Sequence, residues 1–188
     1  MKKNVKKITV GGLLIALALV LPMAFHLTGV PQPGQVFLPM HIPVLLGGFV
    51  LGPVFGFFVG LFSPIISSVL TGMPAVGRLP FMMIELAVYG LVSVFMYNTV
   101  KFNKNKMGSY ISLLTAMLCG RIVYAISLFV AVNLMGIQCG GPIAAVTATV
   151  SGVPGIIIQV LIIPPVVYAL ERSGYIDRHF RICKGTVA

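Results

Sequence analysis

Three charged residues stand apart in otherwise apolar stretches of this chain: Arg78, Glu85 and Arg121. One carboxylate between two guanidinium groups admits two kinds of chemistry. It can close an internal salt bridge with either arginine, tying two helices together. Alternatively, one arginine pairs with Glu85 while the other meets an anionic group brought by a ligand. Glu85 follows Arg78 by seven residues, which puts both on one face if a single helix carries them. Two cations and one anion leave a positive remainder, and in a low-dielectric surrounding that remainder favours contact with an acidic group from outside the chain.

The same residues argue against catalysis. An enzyme site here needs a nucleophile with its base, a metal cluster or paired acids. Glu85 is the single acid within the apolar runs, and no His or Asp is near it in sequence. His26, His41 and His179 are not spaced as metal ligands. Cys119, Cys139 and Cys183 match neither a metal motif nor a disulfide framework. No phosphate-cradling glycine loop of the P-loop kind is present, which excludes ATP hydrolysis by that route. The expectation is a chain with no metal and no cofactor of its own.

The elements that must position these charges follow from solvent. The 188 residues are 58% hydrophobic and only 9% charged, with a mean hydropathy of +1.05. A soluble domain carries about 25% charged residues. Several runs reach the roughly 20 apolar residues that cross a hydrocarbon core of about 30 Å. The composition therefore predicts an all-α integral membrane protein, one compact six-helix transmembrane bundle over 1–188. Helices are expected at about 8–27, 36–52, 53–70, 80–100, 107–135 and 154–171, with a basic tail over 172–188. The apolar stretch 36–70 is too long for one span, and Gly52-Pro53 divides it, since proline suits the first turn of a helix. The first run lacks a small-x-small cleavage site and reads as a retained helix. The segments 28–35, 71–79 and the Gly-rich 136–152 read as loops.

Charge placement sets the orientation. Four lysines (Lys2, Lys3, Lys6, Lys7) precede the first helix, three (Lys101, Lys104, Lys106) follow the fourth, and Arg172, Arg178, Arg181 and Lys184 follow the sixth. The three groups share a side only if even numbers of spans separate them, which six helices satisfy. The positive-inside rule then puts both termini in the cytoplasm and the three nearly uncharged loops outside. The net charge of +10 is thus a topology signal, not a nucleic-acid footprint.

Glycine and proline crowd the outer loops, and such irregular backbone is tolerated at a membrane edge where it lines a cavity or is buried in protein. His41, Asn133, Gln138 and Gln159 offer polar groups to the same region, although a structural hydrogen bond is the commoner role for each. Gly12 and Ala16 form a small-xxx-small pair that lets another helix approach closely. There are no rings of charge as in a channel and no clear repeated halves as in a self-sufficient transporter. A ligand-binding membrane subunit energised by partners remains, beside a structural or assembly subunit with no ligand.

The run His41-Ile-Pro-Val-Leu-Leu-Gly-Gly-Phe-Val-Leu-Gly-Pro-Val-Phe-Gly56, with Gly60-Leu-Phe-Ser-Pro64 and Leu70-Thr-Gly-Met-Pro74, resembles the substrate-binding S components of energy-coupling factor (ECF) transporters. Glu85-Leu-Ala-Val-Tyr-Gly90, Pro154-Gly-Ile-Ile-Ile-Gln159 and Ile163-Pro164 extend the resemblance over nearly the whole chain. It implies a multi-pass protein of a prokaryotic plasma membrane that binds a water-soluble vitamin or precursor at the outer face. The implied partners are a transmembrane coupling protein and two cytoplasmic ATPases, with ATP and Mg held in those subunits and no nucleic acid involved. The resemblance implies a pocket in the outer halves of helices four to six, where the polar and charged residues of this chain point to Arg78, Glu85, Tyr89, Arg121, Tyr124, Asn133 and Gln159 as substrate contacts, by inference and not by motif match. It maps a gating loop to Pro31, Gln32, Gly34 and Gln35, and docking of the coupling protein to Gly12 and Ala16. The usual docking motif has alanine at both ends, so Gly12 is a permissive departure. Members transporting pantothenate, folate, pyridoxine-like compounds and hydroxymethylpyrimidine are the most similar. The surplus arginine favours an anion, pantothenate first, with neutral pyridoxine or hydroxymethylpyrimidine favoured if Glu85 already pairs with Arg121.

Overall fold

The computed structural model describes residues 2–27, 29, 33–99, 108–135 and 141–173. Every regular element among them is a helix: α1 (Lys2–His26), α2 (Pro33–Val36), α3 (His41–Leu51), α4 (Pro53–Thr71), α5 (Leu79–Thr99), α6 (Gly108–Met135), α7 (Gly141–Ser151) and α8 (Val153–Arg172). Six stretches are long and apolar enough to cross a membrane, the second running through α2 and α3 over Pro33–Leu51. The bundle is all-α, as its composition requires.

The turn between α3 and α4 falls at Gly52, whose φ of 96° lies where a side chain is strained. Pro53 then opens α4 at a position where its missing N–H costs nothing. From this turn α4 runs back antiparallel to α5 at backbone contact distance. A Cβ on Gly56 would come within 2.6 Å of the Gly90 carbonyl oxygen. Apolar burial gives little drive between helices in lipid, so such close approach through small residues is a main source of cohesion. Helix α5 sits at the centre, packed on α3, α4 and α6, and contributes buried Leu86, Ala87, Tyr89 and Val94.

Contacts at the helix ends fix the relative direction of the spans. Near the start of α1, the Lys7 ammonium lies over the Phe55 ring at the start of α4. The Tyr97 hydroxyl near the end of α5 donates to Glu171 near the end of α8. The chain therefore enters and leaves at one end of the bundle, here the terminal end. The far ends of α1, α4 and α6 lie at the other, distal end.

Two stretches depart from the expected pattern. The helix expected over 36–52 is interrupted: α2 ends at Val36, and α3 begins at His41. Leu38 adopts a φ of 48°, and Pro39 beside it cannot donate to a helical ladder. The Gly-rich segment read as a loop contains α7, which packs on α6. Ala145 is buried there against Phe81, Leu128 and Ala131, and that packing steadies a short helix in which Thr and Val, poor helix formers, alternate with alanine. At its other edge the distal end is closed by the turn after α4. The Ser67 and Ser68 hydroxyls donate to the carbonyls of Met73 and Pro74, at 2.6 and 2.9 Å.

Candidate functional site

Helix α5 places Glu85 six residues, about 9 Å, in from the distal end, and Tyr89 stacks one turn below it on the same face. Both are buried, Glu85 at 3% exposure. The Tyr89 hydroxyl donates to Glu85 Oε1 at 2.8 Å. From α6, the Arg121 guanidinium reaches the same oxygen, with Nη1 at 3.2 Å. Gly120, the residue before it, faces the Tyr89 ring so closely that a side chain there would strike the ring. His41, the first residue of α3, closes the third side. Its Nε2 lies 3.9 Å from Glu85 Oε1, and its ring is tilted against Tyr89 with centroids 5.2 Å apart.

Leu38 ties this cluster to α8. Its carbonyl accepts the His41 backbone N–H at 3.0 Å and the Gln159 Nε2 at 3.3 Å. Gly152, at the α7–α8 junction, borders both Leu38 and Arg121. A Cβ there would lie 2.9 Å from Leu38 Cδ1 and 3.3 Å from Arg121 Nη2. The backbone before Leu38 is equally close to α8, with the Phe37 carbonyl oxygen 2.5 Å from where a Gly155 Cβ would stand. Four segments from four distant parts of the sequence thus converge on one buried polar knot.

The knot is incompletely paired. Both ring nitrogens of His41, Arg121 Nη2 and Gln159 Oε1 are buried and find no hydrogen-bond partner among the described residues. Buried polar groups are ordinarily satisfied, because an unpaired one loses its hydration without compensation. Glu85 Oε1, by contrast, is engaged by both Arg121 and Tyr89. With one carboxylate committed to a guanidinium, the cluster has no nucleophile–base arrangement. What it offers is recognition: a donor at Arg121, an acceptor at Gln159, and a histidine able to be either.

Glu85, Tyr89 and Arg121 are therefore in direct contact, and Gln159 joins them through Leu38. The other expected site residues lie elsewhere. Arg78 sits exposed in the turn that precedes α5, its carbonyl accepting the Met82 N–H at 3.1 Å. Tyr124 is half-buried, packed against the small cluster of Phe81, Leu128, Ala131 and Ala145. Asn133 is exposed and donates to the Phe129 carbonyl of its own helix. Of the expected gating loop, Gly34 and Gln35 lie in α2, half-buried, while Pro31 and Gln32 lie outside the described residues. Gly12 and Ala16 are exposed on α1, and a Cβ on Gly12 would meet nothing within 4 Å. Internal packing does not account for that small-residue pair.

Reading the sequence for isolated charges missed His41 as a partner of Glu85, missed Leu38 and Gly120, and marked Gly152 only as irregular backbone at the membrane edge. His41 had a signal, a lone imidazole opening an apolar run. The other three are apolar or glycine and matter only through tertiary contact.

Against this geometry, the family model described as ECF transporter, substrate-specific component, matches residues 6–167. Neither the curated proteins nor the solved structures yield a match to this chain.

Proposed function

The chain belongs to the family of ECF transporter substrate-specific components, and from that premise we propose that it captures a water-soluble vitamin or vitamin precursor at the polar knot around Glu85 and Arg121. Members of the family are transport subunits and not enzymes, and membership implies association with an energising module of a transmembrane protein and ATPases. In this reading the distal end faces outward from a prokaryotic plasma membrane and both termini are cytoplasmic, in keeping with the basic clusters. Two partner ATPases hydrolyse ATP with Mg, and the transmembrane coupling protein docks on α1 over Gly12 and Ala16. The outward exposure of those two small residues supports that assignment.

One observation carries the reading: buried, unpaired hydrogen-bonding atoms on His41, Arg121 and Gln159, gathered about 9 Å below the distal end. Intramembrane ionisable groups that are not lipid-facing mark substrate pathways more often than mere packing. The ligand class follows from how the charges are used. Pantothenate was favoured by an unpaired arginine, yet Arg121 contacts Glu85 and Arg78 is exposed. That pairing supports a neutral ligand of the pyridoxine or hydroxymethylpyrimidine kind over pantothenate.

Native mass spectrometry of the detergent-purified protein tests the proposal. The expected spectrum carries one bound small molecule of vitamin-like mass. An empty protein that no member of a vitamin panel stabilises against heat would instead support a structural or assembly subunit.

A further inference from the structure

Resting on the binding reading above, we infer that the ligand is uncharged and presents a hydrogen-bond donor and acceptor on one edge, held between Arg121 Nη2 and Gln159 Oε1, with Glu85 serving as fixed counter-ion to Arg121 rather than as a ligand contact. The charges set the first half. Counting His41 as neutral, Glu85 and Arg121 balance, and they are 3.2 Å apart with the carboxylate almost fully buried. An anionic ligand would add an uncompensated charge to a desolvated, already neutral cluster, which is the costly arrangement for buried ions.

The unpaired atoms set the second half. Arg121 Nη2 donates only, and Gln159 Oε1 accepts only. A carboxylate answers the arginine and leaves the glutamine oxygen unpaired. A neutral edge with adjacent acceptor and donor, as in an aminopyrimidine or a hydroxymethyl pyridine, answers both. The two atoms border a common residue pair: Gln159 is bonded to the Leu38 carbonyl, and Arg121 Nη2 and the Leu38 side chain both border Gly152. Leu38 therefore links the two residues that would hold such an edge. His41, three residues on, has two further free nitrogens to read the ring. Glu85 is held as the counter-ion through Oε1, the oxygen that Tyr89 and Arg121 share.

The test titrates the full-length protein in detergent with pyridoxine, hydroxymethylpyrimidine and pantothenate, reading affinity by calorimetry. A neutral compound should bind in preference to pantothenate. Gln159→Leu should weaken it about tenfold or more, the loss of one buried hydrogen bond. Glu85→Gln, which frees Arg121, should shift preference towards pantothenate. A readout on the unaltered protein guards against misfolded variants: methylating the donor on the preferred ligand should cost a similar factor. Tight binding of pantothenate that is indifferent to Gln159→Leu would overturn the inference and leave the binding reading intact, as would full tolerance of ligand methylation. Absence of binding by any compound would remove the binding reading itself.

Discussion

Helix α5 carries two tyrosines eight residues apart on one face, and each hydroxyl donates to a glutamate: Tyr89 to Glu85 near the distal end and Tyr97 to Glu171 at the terminal end. The chemistry is the same and the settings differ. Glu85 is buried, shares its oxygen with Arg121, and is surrounded by unpaired polar atoms on His41 and Gln159. Glu171 is half-buried in the last turn of α8, where its contact fastens α8 to α5 across a single boundary. A tyrosine–glutamate bond at a bundle end is a staple. Inside the bundle, with a guanidinium on the carboxylate and spare donors and acceptors around it, the same bond becomes part of a recognition site.

The sharpest way to break that contrast is Arg121→Ala, which strands the Glu85 charge in the interior. It should destabilise the protein by about 3–5 kcal/mol and abolish ligand binding, seen as a lowered unfolding temperature with no recovery on adding ligand. Removing both charges together, Glu85→Leu with Arg121→Met, should restore most of that stability, since a buried pair contributes little net over an apolar replacement. Ligand binding should not return with it. Tyr89→Phe removes one bond to the buried carboxylate and should cost about 1–2 kcal/mol, with a measurable fall in affinity. Tyr97→Phe, the matched change at the terminal end, should cost about 1 kcal/mol or less and leave affinity unchanged. An equal effect of the two tyrosine changes on affinity would erase the distinction between staple and site. The smallest effect on stability belongs to Gly12→Leu, within about 0.5 kcal/mol as for other exposed positions. That variant should bind ligand normally and yet fail to assemble with the coupling protein in a pull-down; normal assembly would remove the docking role.

The spans were legible because long apolar runs have few other uses, and Gly52-Pro53 marked the α3–α4 turn through conformations that only those residues favour. Helix α7 was not legible. Its 11 residues are too short to announce a span, and its stability lies in Ala145 meeting Phe81 and Leu128, a contact no local pattern encodes. The break at 37–40 was hidden for a similar reason: an apolar Leu38 with a positive φ looks like any span residue. Within the site, subtracting the cytoplasmic charges singled out Glu85 and Arg121. Which arginine meets the carboxylate is set by tertiary packing, with Arg121 of α6 at 3.2 Å and Arg78 exposed in the turn before α5. His41 and Gln159 were visible as polar residues in apolar runs, but their convergence on Leu38 is a product of packing alone.

Native mass spectrometry of the unaltered protein beside the Glu85→Leu/Arg121→Met double variant tests the site most directly. The expected result is one small molecule retained by the first and none by the second, with both folded and of equal helix content. A double variant that keeps the ligand would contradict the assignment, leaving the buried pair a structural tie and the substrate bound elsewhere.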